Sequence, residues 1–210
     1  MHNNPNPAVL EKLIAYKQFP QGLKALGIEG RRDSDMRFKM YGLDTVLNQD
    51  SLVLEPGSNC GFLSALIAQY SGGVWGFDID MAMVEVANLV KKELGIHNAF
   101  FFQSRFEEFS DDHTYDLVVA CQLHHWVSME FEQFTSKIIS FVKKGGYLLF
   151  ETHNINTIDR DWFPKTRHIM DQGFDLIRGG EWVEEKPGRF WIPERNEPDI
   201  PRKWFLMRRR

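Results

Sequence analysis

Between Ser51 and His153 the chain alternates short apolar runs with longer amphipathic segments, and this alternation constrains the fold more than any other feature. The apolar runs are SLVLEPG, GGVWGFDID, NAFFFQS, YDLVVACQ and YLLFETH. Strands that alternate with helices of about 10–15 residues predict crossover units and a parallel sheet. The runs are apolar throughout, as a sheet covered on both faces requires. The pattern predicts an α/β fold with a doubly wound, mostly parallel sheet.

The flanking segments predict a helical cover and an antiparallel hairpin. Residues 7–26 and the stretch RRDSDMRFKMYGLDTVL have helical spacing, so residues 1–49 are expected to cover one end of the sheet. The core covers 50–153, and its helix FEQFTSKIISFVKK is expected to end at Gly145. In 154–210, WFPKTRHIMDQ predicts a helix, and GFDLIRGGEWV and KWFLMRRR predict a C-terminal antiparallel hairpin around EKPGRFWIPERNEPDIP. A chain of 210 residues is by default one domain.

Composition and charge exclude several classes of protein. The chain carries 25 Lys+Arg against 29 Asp+Glu, a net charge of -4, whereas phosphate affinity needs a basic surface. The balance argues against a nucleic-acid partner but leaves a local basic patch open. Cys60 and Cys121 cannot form a disulfide scaffold. No apolar run reaches the ~18–20 residues that span a bilayer, and the start MHNNPNP is not a signal peptide. We therefore expect a cytoplasmic protein without a membrane partner.

A glycine turn with a carboxylate beside it follows the first strand, in the segment LEPGSNCGF. Ligands of open α/β sheets bind beyond the carboxyl ends of the strands, where glycines let the backbone approach them. The spacing is Glu-x-Gly-x-x-x-Gly, with Glu55, Gly57 and Gly61. Glu55 would repel a pyrophosphate but suits a ligand that carries an ammonium group. No Gly-x-Gly-x-x-Gly turn and no Tyr-x-x-x-Lys pair occur, which argues against a NAD-dependent oxidoreductase.

A second carboxylate, Asp78, ends the second strand about 20 residues beyond the glycine turn, where an acid can accept hydrogen bonds from a ribose diol. NAD enzymes share this feature, so Asp78 alone does not discriminate between cofactors. Together with Glu55 it favours a ligand that combines a ribose with a cationic group.

The ordered set LEPGSNCG, GFDID, FFFQSRFEEF, YDLVVACQLHHW and VKKGGYLLFET resembles the class I S-adenosylmethionine-dependent methyltransferases. The resemblance implies S-adenosyl-L-methionine as the cofactor and places its methionine part near the turn after the first strand, its ribose at Asp78 and its adenine at Ile79. It also places the adenine edge at Ser104 and Arg105, and the sulfonium near Cys121 and Gln122. The implied cofactor-binding residues are Arg37, Glu55, Gly57, Asn59, Gly61, Asp78, Ile79, Ser104, Arg105, Cys121 and Gln122.

Within that fold, LVVACQLHHW with GGYLLFETH is similar to a subgroup that includes tRNA wobble-uridine alkylating enzymes and small-molecule O-methyltransferases. There an arginine of the lead-in RRDSDMRF helps to bind the cofactor carboxylate, with Arg37 or Arg31 as the candidate. Because the chain is short and acidic, a small-molecule acceptor is favoured, such as a sugar or a natural-product intermediate. A methyltransferase acting on RNA and a non-catalytic cofactor-binding subunit are the alternatives.

His124 and His125 follow the fourth strand, on the face where the methyl group is presented. A hydroxyl acceptor needs a base of near-neutral pKa, and imidazole is the natural choice. We predict that one of the two acts as this base, with His125 preferred and His153 a lesser candidate. Their spacing does not match a compact ligand set, so we expect no metal.

Overall fold

The computed structural model describes residues 6–15, 21–184 and 200–210. Its α-helices are α1 (Pro7–Ala15), α2 (Ser34–Tyr41), α3 (Phe62–Ile67), α4 (Met81–Glu93), α5 (Phe131–Ser140) and α6 (Trp162–Asp171). Its strands are β1 (Gln21–Gly22), β2 (Arg32–Asp33), β3 (Leu52–Pro56), β4 (Gly73–Asp78), β5 (Ala99–Gln103), β6 (Tyr115–Cys121), β7 (Val142–Glu151), β8 (Phe174–Glu184) and β9 (Ile200–Arg209). Short 3-10 turns lie at Lys24–Leu26, Leu43–Thr45 and His124–Trp126.

A seven-stranded sheet in the order β5-β4-β3-β6-β7-β9-β8 forms the centre of the protein. The strands from β5 to β7 pair in parallel, and β9 pairs antiparallel with both β7 and β8. The predicted doubly wound, mostly parallel sheet with a C-terminal antiparallel hairpin is thereby confirmed. The strand order reverses between β3 and β6, and at such a point the connections leave in opposite directions and open a crevice beyond the carboxyl ends.

Both faces of the sheet are covered, which explains why its strands are continuously apolar. Successive side chains of a strand point to opposite faces. Accordingly Leu54 and Val118 belong to the cluster that α5 and α6 cover, whereas Val53 and Val119 belong to the cluster that α2 and α3 cover. All four side chains are fully buried. Helix α1 packs on α4 at the edge of this second layer.

The N-terminal segment differs from the predicted helix over residues 7–26. Helix α1 ends at Ala15, residues 16–20 lie outside the described residues, and β1 and the 3-10 turn at Lys24–Leu26 follow. The chain turns back here, because Leu23 and Ile28 form an antiparallel bridge and a Cβ atom on Gly22 would lie 2.7 Å from the Gly30 nitrogen, and β1 then pairs in parallel with β2. A continuous helix to Leu26 is therefore wrong. The next helix, α2, ends where Gly42 adopts the left-handed conformation, with φ 65°.

The helix before β7 ends earlier than predicted. Helix α5 stops at Ser140, and β7 already begins at Val142, so an end at Gly145 is wrong. Val142 is fully buried and pairs with Tyr115, which draws the chain into the sheet. The Arg209 guanidinium donates to the carbonyl oxygens of Ile139 and Val142 and so links the last turn of α5 to the start of β7.

The predicted linker lies mostly outside the described residues, which omit 185–199. Among the helices that the structure does describe, none has both the length and the apolar character that crossing a membrane demands.

Candidate active site

Three residues of the loop after β3 have the left-handed backbone conformation, which only certain residues adopt easily. Gly57 and Gly61 have φ values of 70° and 71°, and Asn59 also lies in the left-handed region, with φ 51°. A Cβ atom on Gly61 would lie 2.8 Å from the Ala87 Cβ atom, so this glycine lets α3 approach α4. A Cβ atom on Gly57 would lie 3.1 Å from the Leu123 side chain, so the loops after β3 and β6 meet at this point.

Glu55 is a buried carboxyl group at the end of β3. It is only 6% exposed, and its side chain accepts a hydrogen bond from the Ser64 hydroxyl. Burial raises the pKa of Glu55 to about 7, and the Ser64 hydrogen bond and the Arg37 charge offset only part of that effect. A cationic ligand beside Glu55 would favour its ionised form.

Asp78 connects three loops at the carboxyl end of β4. Its two carboxylate oxygens accept backbone N–H groups, from Asn59 at 2.9 Å and from Asp80 at 3.0 Å. Its carbonyl oxygen accepts the Ser104 N–H at 3.0 Å. Burial raises the pKa of Asp78. Each carboxylate oxygen keeps acceptor capacity, and the adjacent Ile79 is 53% exposed, so an acceptor pair lies next to an exposed apolar side chain.

Arg105 points toward acidic side chains. Its Nε atom lies 3.9 Å from Glu107 and 3.7 Å from Glu108. The contact of Arg105 with an adenine edge stays a prediction.

Gln122 follows β6 in a conformation that is uncommon for a residue with a side chain, with φ 57°. Its amide nitrogen donates to the Glu151 carboxylate at 2.6 Å, its backbone N–H donates to the Glu151 carbonyl at 2.9 Å, and its amide oxygen accepts from Arg32 at 2.9 Å. Backbone strain that neighbours hold in place is typical of ligand sites. The preceding Cys121 is half-buried, and burial followed by the Glu151 charge raises the pKa of its thiol, which is therefore neutral at pH 7.

Arg37 lies behind this strand end. It is 2% exposed, its Nε atom donates to the Tyr41 hydroxyl at 2.8 Å, and its Nη2 atom lies 3.4 Å from Glu151. Glu151 also accepts from Tyr41 and, at 2.9 Å, from Trp182. Burial opposes the ionisation of Glu151, but Arg37 holds its pKa below the usual value. A contact between Arg37 and the cofactor carboxylate stays a prediction.

The two adjacent histidines have different surroundings. The Nε2 atom of His125 lies 2.8 Å from Asp159 Oδ1, and the Asp159 carboxylate is fully buried. The His124 ring packs at centroid distances of 5.2 Å from Phe131 and 5.8 Å from Phe134. Burial, with the neighbouring His125, lowers the pKa of His124 to about 4. His125 is thus the histidine that has a carboxylate partner.

Asp159 also binds two other groups. Its Oδ1 atom accepts from the Lys165 ammonium at 2.8 Å, and its Oδ2 atom accepts from the His153 backbone N–H at 2.5 Å. Burial opposes ionisation, but the close His125 ring and the hydrogen bond from Lys165 hold the pKa of Asp159 well below its usual value. Asp159 is therefore a fixed anion behind His125. Burial, with Arg202 and His125, lowers the pKa of His153 to about 4.

Donor atoms of His124, His125 and Asp159 lie within 4.8 Å of one another, a spacing that a metal ion could use. The ammonium of Lys165, however, already lies 2.8 Å from the same Asp159 oxygen. A second cation there would meet like-charge repulsion. The absence of a metal stays our prediction.

Exposed apolar side chains lie close in the sequence to His125 and Asp159. Trp126, which follows His125, is 76% exposed, and its ring centroid lies 6.4 Å from that of His153. Ile158, which precedes Asp159, and Phe163, in the first turn of α6, are also exposed. Exposed apolar side chains beside polar groups are typical of a small-molecule site.

Sequence reasoning missed Asp159, Lys165 and Arg32 as members of this region. Asp159 lies in the irregular stretch NINTIDRD, which has no periodic pattern, and Lys165 lies on a predicted helix without a motif. Arg32 belongs to the arginine pair that opens RRDSDMRF, which the sequence analysis singled out, but nothing in the sequence distinguishes Arg32 from the other arginines of this segment.

The fold defines a class of protein: a doubly wound, mostly parallel α/β domain in which Glu55 and Asp78 lie at strand ends near the point where the strand order reverses. A family model described as "Methyltransferase domain" matches residues 47–187. The chain belongs to this family, and its fold is that of the class I S-adenosylmethionine-dependent methyltransferases. It is therefore a methyltransferase enzyme whose cofactor is S-adenosylmethionine.

Solved structures support the fold at low sequence identity. The N-methyltransferase NodS from Bradyrhizobium japonicum WM9, in complex with S-adenosyl-L-homocysteine, is 14% identical with a TM-score of 0.64, covering 83% of this chain and 84% of that chain. Magnesium protoporphyrin IX methyltransferase from Synechocystis PCC 6803, with bound cofactor, is 18% identical with a TM-score of 0.63, covering 99% and 86%. An rRNA methylase from Streptococcus thermophilus is 16% identical with a TM-score of 0.59, covering 85% and 97%. A search of curated proteins finds no match.

Proposed function

We propose that the protein transfers a methyl group from S-adenosyl-L-methionine to an oxygen atom of a small molecule, such as a sugar or a natural-product intermediate. One observation carries the choice of oxygen: the contact of 2.8 Å between His125 Nε2 and the buried Asp159 carboxylate, just beyond β6. An oxygen nucleophile must lose a proton, and an imidazole oriented by a carboxylate can take it.

The residues around the crevice fit the cofactor. The carboxyl group of Glu55 would bind the ammonium of its methionine part, next to the close backbone approach that Gly57 allows. The Asp78 oxygens, which keep free acceptor capacity, would bind the ribose hydroxyls, and the exposed Ile79 side chain would flank the adenine. When bound, the cofactor supplies an electrophilic methyl group on a sulfonium centre.

Asp159 determines how His125 can act. The Asp159 carboxylate lies 2.8 Å from Nε2, and its negative charge favours the tautomer that carries the proton on that atom. The lone pair of His125 is then on Nδ1, which takes the hydroxyl proton of the acceptor. Asp159 stabilises the imidazolium that results, and Lys165 and the His153 N–H keep Asp159 ionised and in place.

The cofactor site is tested by calorimetry with S-adenosylmethionine and S-adenosylhomocysteine, with NAD as the control ligand. We expect micromolar binding that Asp78→Ala abolishes. Asp80→Ala is the matched control, because Asp80 caps α4 by accepting the Ala82 N–H at 2.9 Å. The control variant should lose about 1 kcal/mol of stability but keep its affinity. Binding of NAD alone, or of no ligand, would contradict the proposal.

The acceptor chemistry is tested by incubating the protein with radiolabelled cofactor and matched small molecules that differ only in a hydroxyl or an amine. We expect label on the hydroxyl compounds and a loss of turnover of about 10²–10⁴-fold in His125→Asn. His113→Asn should be neutral, because His113 is exposed and contacts only Asp111 among the described residues. Labelling of amines alone would refute O-methylation of small molecules.

A further inference from the structure

Two nitrogen atoms approach the same oxygen atom of the buried Asp159 carboxylate. The Lys165 ammonium, on α6, and the Nε2 atom of His125 each lie 2.8 Å from Oδ1, so the two nitrogen atoms lie within about 6 Å of each other. The ammonium is a hydrogen-bond donor to this oxygen, whereas His125 Nε2 has no aligned hydrogen-bond partner among the described residues. The Lys165 side chain is only 11% exposed, so solvent screens its charge weakly.

Lys165 carries its positive charge throughout the neutral pH range. Burial opposes that charge, but contacts of 2.8 Å with Asp159 and with Asp161 raise the pKa of Lys165 above its usual value. Its Nζ atom also lies 5.6 Å from the centre of the Phe131 ring, a position that suits a cation. Lys165 is therefore a fixed cation next to His125, and it cannot itself act as the base.

The two histidines that face His125 are neutral at pH 7. The His124 ring lies at a centroid distance of 3.7 Å, and the His153 ring, beyond β7, lies at 6.0 Å. Burial lowers the pKa of both rings to about 4, and the neighbouring His125 adds to this effect. On the side of His153, Arg202 and Arg32 contribute further positive charge.

Asp159 and Lys165 act on His125 with opposite sign. The fixed Asp159 anion stabilises a proton on the imidazole, and a neighbouring carboxylate alone moves the titration of a histidine upward, across neutral pH. A protonated His125 could not accept the proton of a hydroxyl group. The Lys165 cation disfavours that protonated form, and Asp161, which is 58% exposed, weakens the effect of Lys165 from outside.

We propose that Lys165 is a positioning residue that keeps His125 unprotonated near neutral pH and so sets the lowest pH at which the methyl group is transferred. This inference rests on the proposed function, in which the hydroxyl proton passes to His125 Nδ1 as the carbon–oxygen bond forms and the carbon–sulfur bond breaks. Asp159 stabilises the imidazolium that forms during transfer, and Lys165 prevents the imidazolium from forming beforehand.

The direct test is an NMR titration of the His125 ring in protein labelled with ¹³C in its histidines, where the signal absent from His125→Asn identifies the ring. We expect Lys165→Met to raise the midpoint by about one pH unit or more, as the loss of a cation at this distance predicts. Lys165→Arg keeps the charge and should keep the wild-type midpoint. Lys143→Met, which removes an exposed lysine paired with Asp116, should also keep it. An unmoved midpoint in Lys165→Met would overturn the inference.

A variant of opposite sign makes the test independent of whether Lys165→Met folds. Asp161 precedes α6 without capping it through a side-chain hydrogen bond, so its loss should not unfold the helix. Because Asp161→Asn removes a counter-charge of Lys165, the midpoint of His125 should fall by about 0.2–0.5 pH unit, the small effect of an exposed charge. A midpoint that stays or rises in Asp161→Asn would equally overturn the inference.

The pH dependence of methyl transfer connects the midpoint to the reaction. With radiolabelled cofactor and the hydroxyl compound that labels best in the acceptor assay, the acid limb of kcat should move upward in Lys165→Met. The loss of turnover should therefore be largest at low pH and shrink as the pH rises. A uniform loss at every pH would show that Lys165 only supports the structure and would overturn the inference. Full turnover in His125→Asn would instead refute the proposed function, which is a different result.

Discussion

Removing the charge of Glu55 should make the protein more stable at alkaline pH and weaken its cofactor binding. The pKa of Glu55 is raised from 4.5 to about 7, chiefly by burial, so the folded protein holds this proton more tightly than the unfolded chain does. The free energy of unfolding therefore falls as the pH rises from about 4.5 to 7. An elevation of this size corresponds to about 3 kcal/mol.

The variant Glu55→Gln has no titrating group at this position. We expect it to match the wild type within about 1 kcal/mol at pH 5 and to exceed it by up to about 3 kcal/mol at pH 8. For a chain of this length that difference corresponds to about 6–12 °C in Tm. Thermal and urea unfolding between pH 5 and 8 measure it, with Glu11→Gln, on the exposed face of α1, as the control. A stability difference that does not change with pH would refute the reasoning.

The same group controls ligand affinity in the opposite direction. An ammonium ligand needs the ionised carboxylate, so wild-type affinity for S-adenosylhomocysteine should rise about tenfold between pH 6 and 8. The affinity of Glu55→Gln should be weaker and should lack this rise. A parallel pH dependence in both proteins would show that Glu55 does not face the ammonium.

Three other changes test the site and the fold. Asp159→Asn should lower turnover by about 10²–10⁴-fold in a methyl-transfer assay and leave affinity for S-adenosylhomocysteine unchanged. Unchanged turnover would contradict the role of Asp159 in positioning His125. Gly57→Ala should destabilise the fold by about 1–2 kcal/mol and weaken cofactor binding in calorimetry. The control Gly95→Ala, at φ 63° in open space, should destabilise the fold without weakening cofactor binding. Equal loss of cofactor binding in both variants would refute a specific role of Gly57 in the cofactor site. Arg209→Met should lower the free energy of unfolding by about 1–2 kcal/mol in urea titrations, since it removes the charged donor that the carbonyl oxygens of Ile139 and Val142 share, and no change would argue against that role.

The alternation of apolar runs and helical periods was enough to predict the sheet, because the runs in β3, β4, β6 and β7 are mostly buried on both faces, although the edge strand β5 leaves Phe100 46% exposed. The predicted ends of the elements were wrong where the local sequence favours one structure and tertiary contacts favour another. The segment VKKGG at 142–146 contains two exposed lysines, so it resembles a helix end, yet Val142 is drawn into the sheet beside Tyr115. The fold-back at Gly22 depends on a contact with Gly30, which no local pattern reports.

The candidate site likewise contains residues that the sequence predicts and residues that it does not. Glu55, Gly57 and Asp78 were predictable because they follow strands at fixed offsets, and strand ends meet at one edge of a parallel sheet. The structure brings these residues together, while their roles as ligands stay predictions. The partners of His125 were not predictable, because Asp159 comes from an irregular loop whose position depends on packing around α6.

The position of β9 limits how this protein can be divided. The family match ends at residue 187, yet β9 lies inside the sheet, between β7 and β8, and is the strand through which β8 joins it. It also carries Arg202, a partner of Glu184 on β8. A fragment trimmed to the recognisable family region would expose two strand edges and leave a buried carboxylate without this partner. For recombination and domain exchange, the unit that must move together is therefore longer than the unit that sequence comparison recognises.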